Sequence, residues 1–333
     1  MADPFIIEVT RGGRVESRHR GAVAVVDATG RPVFSRGDVA APVFPRSAVK
    51  VFQAIPLIES GAADAFGLDA ADLSLACASH SGEAGHAERA SAVLGKAGLT
   101  GAALECGCHW PFDQKVALAM ARGGGEPTAL HNNCSGKHAG FLCTAVHLGE
   151  DPRGYVRPEH GVQRRVRSVF EDLTGETIEA DDCGIDGCAI PTYAAPLEAF
   201  ALGFARLVGE TGVAPERAAA GRRLISACIA EPWFMSGSGR ACASLIEAGE
   251  GRVFVKTGAE GVFCGALPEE GLGFALKIED GATRASESAV AATLAAVLAA
   301  SRPELAERFS ALARTTLRNW NGDVVGDIRP ANF

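Results

Sequence analysis

RVFVKTGAEGVFCGALPEEGLGFALKI, residues 252–278, contains three short apolar runs: Arg252–Thr257, Val262–Leu267 and Leu272–Ile278. Each is rich in β-branched and aromatic residues, and glycine-rich turns separate them. Such runs predict strands, and turns this short predict antiparallel neighbours. At the other end of the chain the same character recurs in Phe5–Thr10 and Ala22–Asp27. A turn at Ala28-Thr29-Gly30 then leads into Pro32–Ser35, which completes an N-terminal set of strands. Between the two ends the pattern is helical. Val49, Phe52 and Ile55 repeat at helical spacing, and Pro56 interrupts or bends that helix. From about Ala62 to Ala248 the chain is alanine-rich and mostly helical, with loops at Gly123-Gly124-Gly125 and Asn132–Gly136. A long amphipathic helix is expected over Ala282–Ala300. The expected architecture is α+β, with one antiparallel sheet built from both chain ends and a large helical region between. The sheet draws on about residues 1–45 and 250–333, the helical region on about 46–249. Together they make residues 1–333 a single discontinuous catalytic unit.

Composition narrows the function. The 333 residues suffice for a large core without disulfides. Net charge is −8 and no long basic run occurs, so a phosphate backbone would be repelled and nucleic acid is not an expected partner. The N-terminal MADPFIIEVTRGGRVES lacks a basic segment followed by an apolar one, so no secretory signal is read there. The apolar stretch around Ala289–Ala300 is alanine-rich and reads as a packed helix, not a membrane span. Ten cysteines without an export signal are expected as free thiols or ligands in the cytoplasm.

The sharpest chemical feature is Ser47-Ala48-Val49-Lys50. On a helix, residues three apart share a face, so both side chains can enter one site. Serine is a weak nucleophile until a base takes its proton. A lysine takes one only as the free amine, which desolvation or a neighbouring cation favours. A second signal, Lys256-Thr257-Gly258, closes an expected strand. S-x-x-K followed late in the chain by K-T-G marks serine β-lactamases and penicillin-binding proteins. The middle element would be Ser79-His80-Ser81, which departs from S-D-N at two positions and lies unusually close to Ser47. Read alone, each motif also fits a surface helix or a strand end with its turn.

Taken together, these residues resemble the thermolabile, Rhizobium-type (class 3) L-asparaginases, from about Glu16 to Gly281. The likeness is carried by Glu16–Gly21, by Phe44-Pro45-Arg46-Ser47 with Lys50, and by Ala78–Glu83 with His86. It continues in Asn133–Gly140, in Asp186-Gly187-Cys188 with Pro191, and in Lys256–Gly261. The most specific stretches are Ser79–His86 and Asn133–Gly140. The resemblance implies a fold related to serine β-lactamases and penicillin-binding proteins. It implies two serine–lysine pairs, Ser47 with Lys50 and Ser79 with Lys256, and a homodimer. It also implies one zinc ion held by Cys134, Cys188 and Lys137.

Spacing alone would not identify that metal site, because Cys134 and Cys188 lie far apart and Cys106-Gly107-Cys108-His109 looks more metal-like locally. A lysine binds zinc only as a neutral amine, a state that coordination itself favours. An amino-acid substrate needs a cation for its α-carboxylate and an anion for its α-ammonium. Arg46 suits the first, Asp186 the second, and His138 can donate a hydrogen bond near the zinc loop. His86 and Glu83 read as residues of a helix N-terminus, and Arg240 falls in a glycine-rich loop. The expected reaction is hydrolysis of the L-asparagine side-chain amide. Its rivals are a serine-type glutaminase, a β-lactamase-like hydrolase, esterase or D,D-peptidase, and a non-catalytic amino-acid sensor. One methylene separates glutamine from asparagine and is worth only about 1–3 kcal/mol of discrimination.

Overall fold

Every residue of the strand Val262–Leu267 is buried. Successive side chains of a strand point to opposite faces, so this sheet is covered on both. The structure, a computed structural model, describes residues 2–333. Its eight-stranded sheet comprises β1 (Phe5–Arg11), β2 (Arg14–Asp27), β3 (Pro32–Arg36), β4 (Phe254–Gly258), β5 (Val262–Leu267), β6 (Leu272–Ile278), β7 (Thr315–Arg318) and β8 (Val324–Pro330). The spatial order is β7-β8-β1-β2-β6-β5-β4, with β3 paired to β2. All pairings are antiparallel. The chain ends meet at β2 and β6, in register from Leu272 opposite Asp27 to Ile278 opposite Gly21. The α+β architecture with a sheet from both termini is therefore present.

Two compact units result. The sheet unit takes in residues up to Ala48, Ala195–Thr211 and Leu245–Phe333. Helix Leu197–Gly209, from the middle of the sequence, packs on β2, β5 and β6. Gly273 makes this contact possible, since a Cβ there would stand 2.1 Å from the Ala201 carbonyl oxygen. Helix Thr283–Leu298 packs on β1, β5, β6 and β8, and occupies most of the expected Ala282–Ala300 span.

The helical unit comprises Val49–Ala194 and Gly212–Ser244. Helix Lys50–Glu59 is buried from Lys50 through Leu57 and runs on past Pro56. Around it pack helices Ser135–His147, Gly161–Thr174 and Pro215–Ala230. This unit also holds a small hairpin, Cys183–Ile185 with Pro191–Tyr193, within the stretch read as mostly helical. All ten cysteines are free thiols. Among the described residues, no helix is long and apolar enough to cross a membrane.

Candidate active site

In the sheet unit, Arg46–Val49 forms a 3-10 turn, and Lys50 opens the α-helix that follows. Ser47 thus sits in a tighter turn than the α-helix expected from its spacing. Arg46 has φ +51°, a left-handed conformation that a side chain tolerates only at a cost. The turn rests on the end of β4. A Cβ on Gly258 would stand 2.5 Å from the Pro45 carbonyl oxygen and 3.1 Å from the Ala48 nitrogen, so only glycine lets the backbones approach this closely. The K-T-G strand end and the turn bearing Ser47 are therefore packed together. Lys256, on the same strand, is buried and donates to the Thr257 carbonyl at 2.8 Å.

In the helical unit, Lys50 is fully buried and its Nζ donates to three groups. These are the Ala78 carbonyl, Ser79 Oγ at 3.0 Å and Cys134 Sγ at 3.0 Å. Ser79 follows the helix Ala70–Ala76 and is held by its neighbours on both sides. Its own N–H donates to the Met235 carbonyl at 2.9 Å, and the His80 N–H donates to the Asn133 carbonyl at 3.1 Å. Gly136 allows helix Ser135–His147 to begin against this segment, since a Cβ there would meet the Leu75 carbonyl oxygen at 2.3 Å.

The residues assigned to zinc lie together in the same unit. Lys137 Nζ donates to Cys188 Sγ at 3.0 Å, and both groups are buried. Cys188 sits in the loop of the small hairpin, where the Asp186 N–H donates to the Ile190 carbonyl at 2.8 Å and Ala189 has φ +70°. A hydrogen bond from the Cys188 thiol holds Cys134 well below the usual thiol range; the same bond, with burial, pushes Cys188 above it. Burial would lower Lys137, but the two sulfurs and the Asp186 carboxylate outweigh it and raise this ammonium. Among the described residues, no three His, Cys, Asp or Glu side chains cluster as a ligand set. Two sulfurs and a lysine nitrogen converge instead, a donor set that fits a borderline-soft dication.

His138 is fully buried, and burial, with the charges of Lys137 and Lys50, keeps its imidazole neutral. Its Nε2 has no hydrogen-bond partner. Leaving such an atom unsatisfied costs about 1–3 kcal/mol, so it is a group in need of a ligand. Asp186 is half-buried, and its Oδ1 accepts from the Gly187 N–H at 2.7 Å. Glu83 occupies the N-cap position of helix Ala84–Lys96, but its carboxylate turns away from that helix. It accepts instead from the Ser238 N–H at 2.8 Å, the Ser238 hydroxyl at 2.9 Å and the Ser81 hydroxyl at 3.2 Å.

The sequence motifs assigned no contact to several members of this network. His80 accepts at Nδ1 from the Gly82 N–H at 3.2 Å, which leaves Nε2–H to donate to Ser135 Oγ at 2.9 Å. His80 stacks on His86 at 4.8 Å, and His86 stacks on Trp233 at 4.1 Å. Tyr155 bonds to His138 at 2.7 Å. Two histidines close together in one motif were the available signal for the stack; Tyr155 lies outside every motif.

Lys50 thus meets Ser79 and Cys134, and Lys137 meets Cys188, all in the helical unit. The profile of one amidohydrolase family matches nearly the whole chain, residues 7–330. That family is L-asparaginase II, and the chain belongs to it. Comparison with curated protein sequences finds no match. Among solved structures, a β-lactamase from Mycobacterium bovis is 14% identical with a TM-score of 0.45, over 84% of this chain and 94% of that one. A D-alanine carboxypeptidase from Burkholderia cenocepacia is 13% identical with a TM-score of 0.38, over 87% and 92%. The protein Mglu is 17% identical with a TM-score of 0.43, over 81% of this chain and 65% of that one, so the chain spans less than two thirds of its length. These likenesses are remote, and the architecture above rests on the strand order itself.

Proposed function

We propose that the protein converts L-asparagine to L-aspartate and ammonia by serine–lysine covalent catalysis beside a zinc ion, as a cytoplasmic homodimer. The observation that carries the mechanism is the buried contact between Lys50 Nζ and Ser79 Oγ, in a chain whose family hydrolyses this amide. Arg46 grips the α-carboxylate of the substrate and Asp186 its α-ammonium, while His138 donates to an acceptor oxygen. Ser47 Oγ attacks the amide carbon and gives its proton to Lys50. Ser79, working with Lys256, delivers a proton to the departing ammonia. Water then attacks the β-aspartyl ester, and its proton returns along the same groups as the serine leaves. Backbone N–H groups stabilise the oxyanion in both steps. Cys134, Cys188 and Lys137 would hold the zinc, which when bound supplies a Lewis acid and a fixed positive charge.

The Lys50–Ser79 contact favours a second assignment, in which Ser79 is the nucleophile and Ser47 the relay, because a nucleophile and its base are expected within hydrogen-bond reach. Ammonia release from L-asparagine by the wild type, Ser47→Ala and Ser79→Ala tests the reaction, and peptide mapping of a trapped acyl-enzyme tests the assignment. Robust release that each substitution abolishes, with the acyl group on Ser47, is the expected result. An acyl group found only on Ser79 selects the second assignment. Turnover undiminished in both variants would sink the serine mechanism. Turnover of glutamine or a β-lactam without asparagine would move the substrate to one of the rivals.

A further inference from the structure

We propose that Tyr155 is a positioning residue that fixes His138 as the Nε2–H tautomer, so that the histidine offers one committed donor to an acceptor oxygen of the substrate. The inference rests on the substrate-binding role given to His138 above. It follows from the direction of a short hydrogen-bond chain. The Glu105 N–H donates to the Tyr155 hydroxyl oxygen at 2.9 Å. The hydroxyl proton then points to His138 Nδ1, 2.7 Å away. Nδ1 is therefore the acceptor, and in a neutral imidazole the proton must sit on Nε2. The reverse direction would aim two donors at the tyrosine oxygen and strand its own proton. Nε2 is the atom that is buried without a partner.

The surroundings hold this arrangement still. Tyr155 is fully buried, and its carbonyl accepts from Gln163 Nε2 at 2.9 Å. The Gly154 N–H donates to Glu105 Oε1 at 2.7 Å, which ties the two segments reciprocally. The His138 ring is held edge-on between Tyr155, 5.4 Å away, and Phe141, 5.8 Å away. Free rotation to another hydrogen-bonding pose is blocked.

The test is a double-mutant cycle, Tyr155→Phe with His138→Gln, read by steady-state kinetics on L-asparagine and by thermal midpoint. Glutamine presents an amide N–H near the Nε2 position and has no tautomer to choose. Tyr155→Phe alone should lower kcat/KM about tenfold, the loss of one hydrogen bond. In the His138→Gln background it should cost less than about twofold, since coupled residues are not additive. An equal cost in both backgrounds would make Tyr155 merely structural and overturn the proposal. If His138→Gln lowers activity and Tyr155→Phe does not, the proposal fails while the role of His138 stands. If His138→Gln and His138→Ala both keep wild-type kinetics, the role of His138 itself fails, and the proposal with it. Should Tyr155→Phe not fold, the imidazole nitrogen resonances of the wild type decide: a protonated Nε2 with a bare Nδ1 is expected, and the opposite pattern would overturn it.

Discussion

At the scale of single residues, Lys50 Nζ touches both Ser79 and Cys134, a proposed catalytic serine and a proposed metal ligand. Lys50→Met keeps most of the buried stem and removes the donors. Activity should fall by at least about a thousandfold, as when a base and nucleophile act as a unit. An activity within tenfold of wild type would show that Lys50 only fills space. Cys188→Ala probes the other side of the cluster. Wild-type protein purified without chelator should carry one zinc per chain by elemental analysis, and the variant should carry far less, since two donors hold a dication poorly. Equal metal content in both would remove Cys188 from the ligand set. Gly258→Ala tests how the turn bearing Ser47 is held. The added carbon would meet the backbone of Pro45 and Ala48 and the Ala48 Cβ, none of which can swing aside, so stability should drop by about 1–3 kcal/mol in urea unfolding and activity should fall with it.

At the scale of elements, the segment Ser79–Glu83 is laced to the segment Trp233–Ser238. The lacing consists of Ser79 N–H to Met235, Ser81 Oγ to the Ser236 carbonyl at 3.1 Å, and Glu83 to Ser238. Gly237 lies so near that a Cβ would overlap Ser81 Oγ. Glu83→Ala cuts the lacing from the carboxylate side. Amide exchange across Gly237–Gly239 should quicken, and KM should rise by about tenfold, for a loss near 1–2 kcal/mol. Unchanged exchange would mean that Glu83 holds nothing. This lacing also marks where sequence reading stopped. β5 and β6 were legible to the residue because apolar runs ended at glycine turns. β2 begins at Arg14, well before its apolar run, because its first half is exposed and pairs charge across strands, as in Arg18 with Glu8 at 3.2 Å. β7 and β8 are short of apolar residues, since β7 is mostly exposed at the sheet edge, and no periodicity announced them. Ser47, Lys50, Ser79 and Lys256 stood out by motif. Tyr155 did not, because a buried polar network has no repeat and is defined only by who meets whom.

At the scale of the whole molecule, three buried imidazoles make stability depend on pH. Burial lowers His80 well below its usual value, and its nearness to His86 and Lys50 acts in the same direction. Burial lowers His138 in the same way and His86 more moderately. All three are thus neutral in the folded protein. In the unfolded chain each titrates near pH ~6.5. Above that value both states are neutral, and the histidines make folding no easier or harder. Below it the unfolded chain takes up protons that the folded one refuses, so stability falls as pH falls. The slope reaches about 1.4 kcal/mol per pH unit for each fully refusing histidine. The loss continues until the pH reaches the depressed folded values. The acids held low in the native state, such as Asp69 beside Arg89 and Asp280 beside His19, add their own loss only at lower pH, near and below the usual carboxylate range. Urea unfolding at pH 7.5 and 5.5 separates the two windows, because between those values histidines titrate and most carboxylates do not. A clear drop in unfolding free energy at pH 5.5, reduced in a His86→Gln variant, is the expected outcome. The same stability at both pH values would mean that these imidazoles find protons in the folded state, and the neutral stack of His80 on His86 would have to be abandoned.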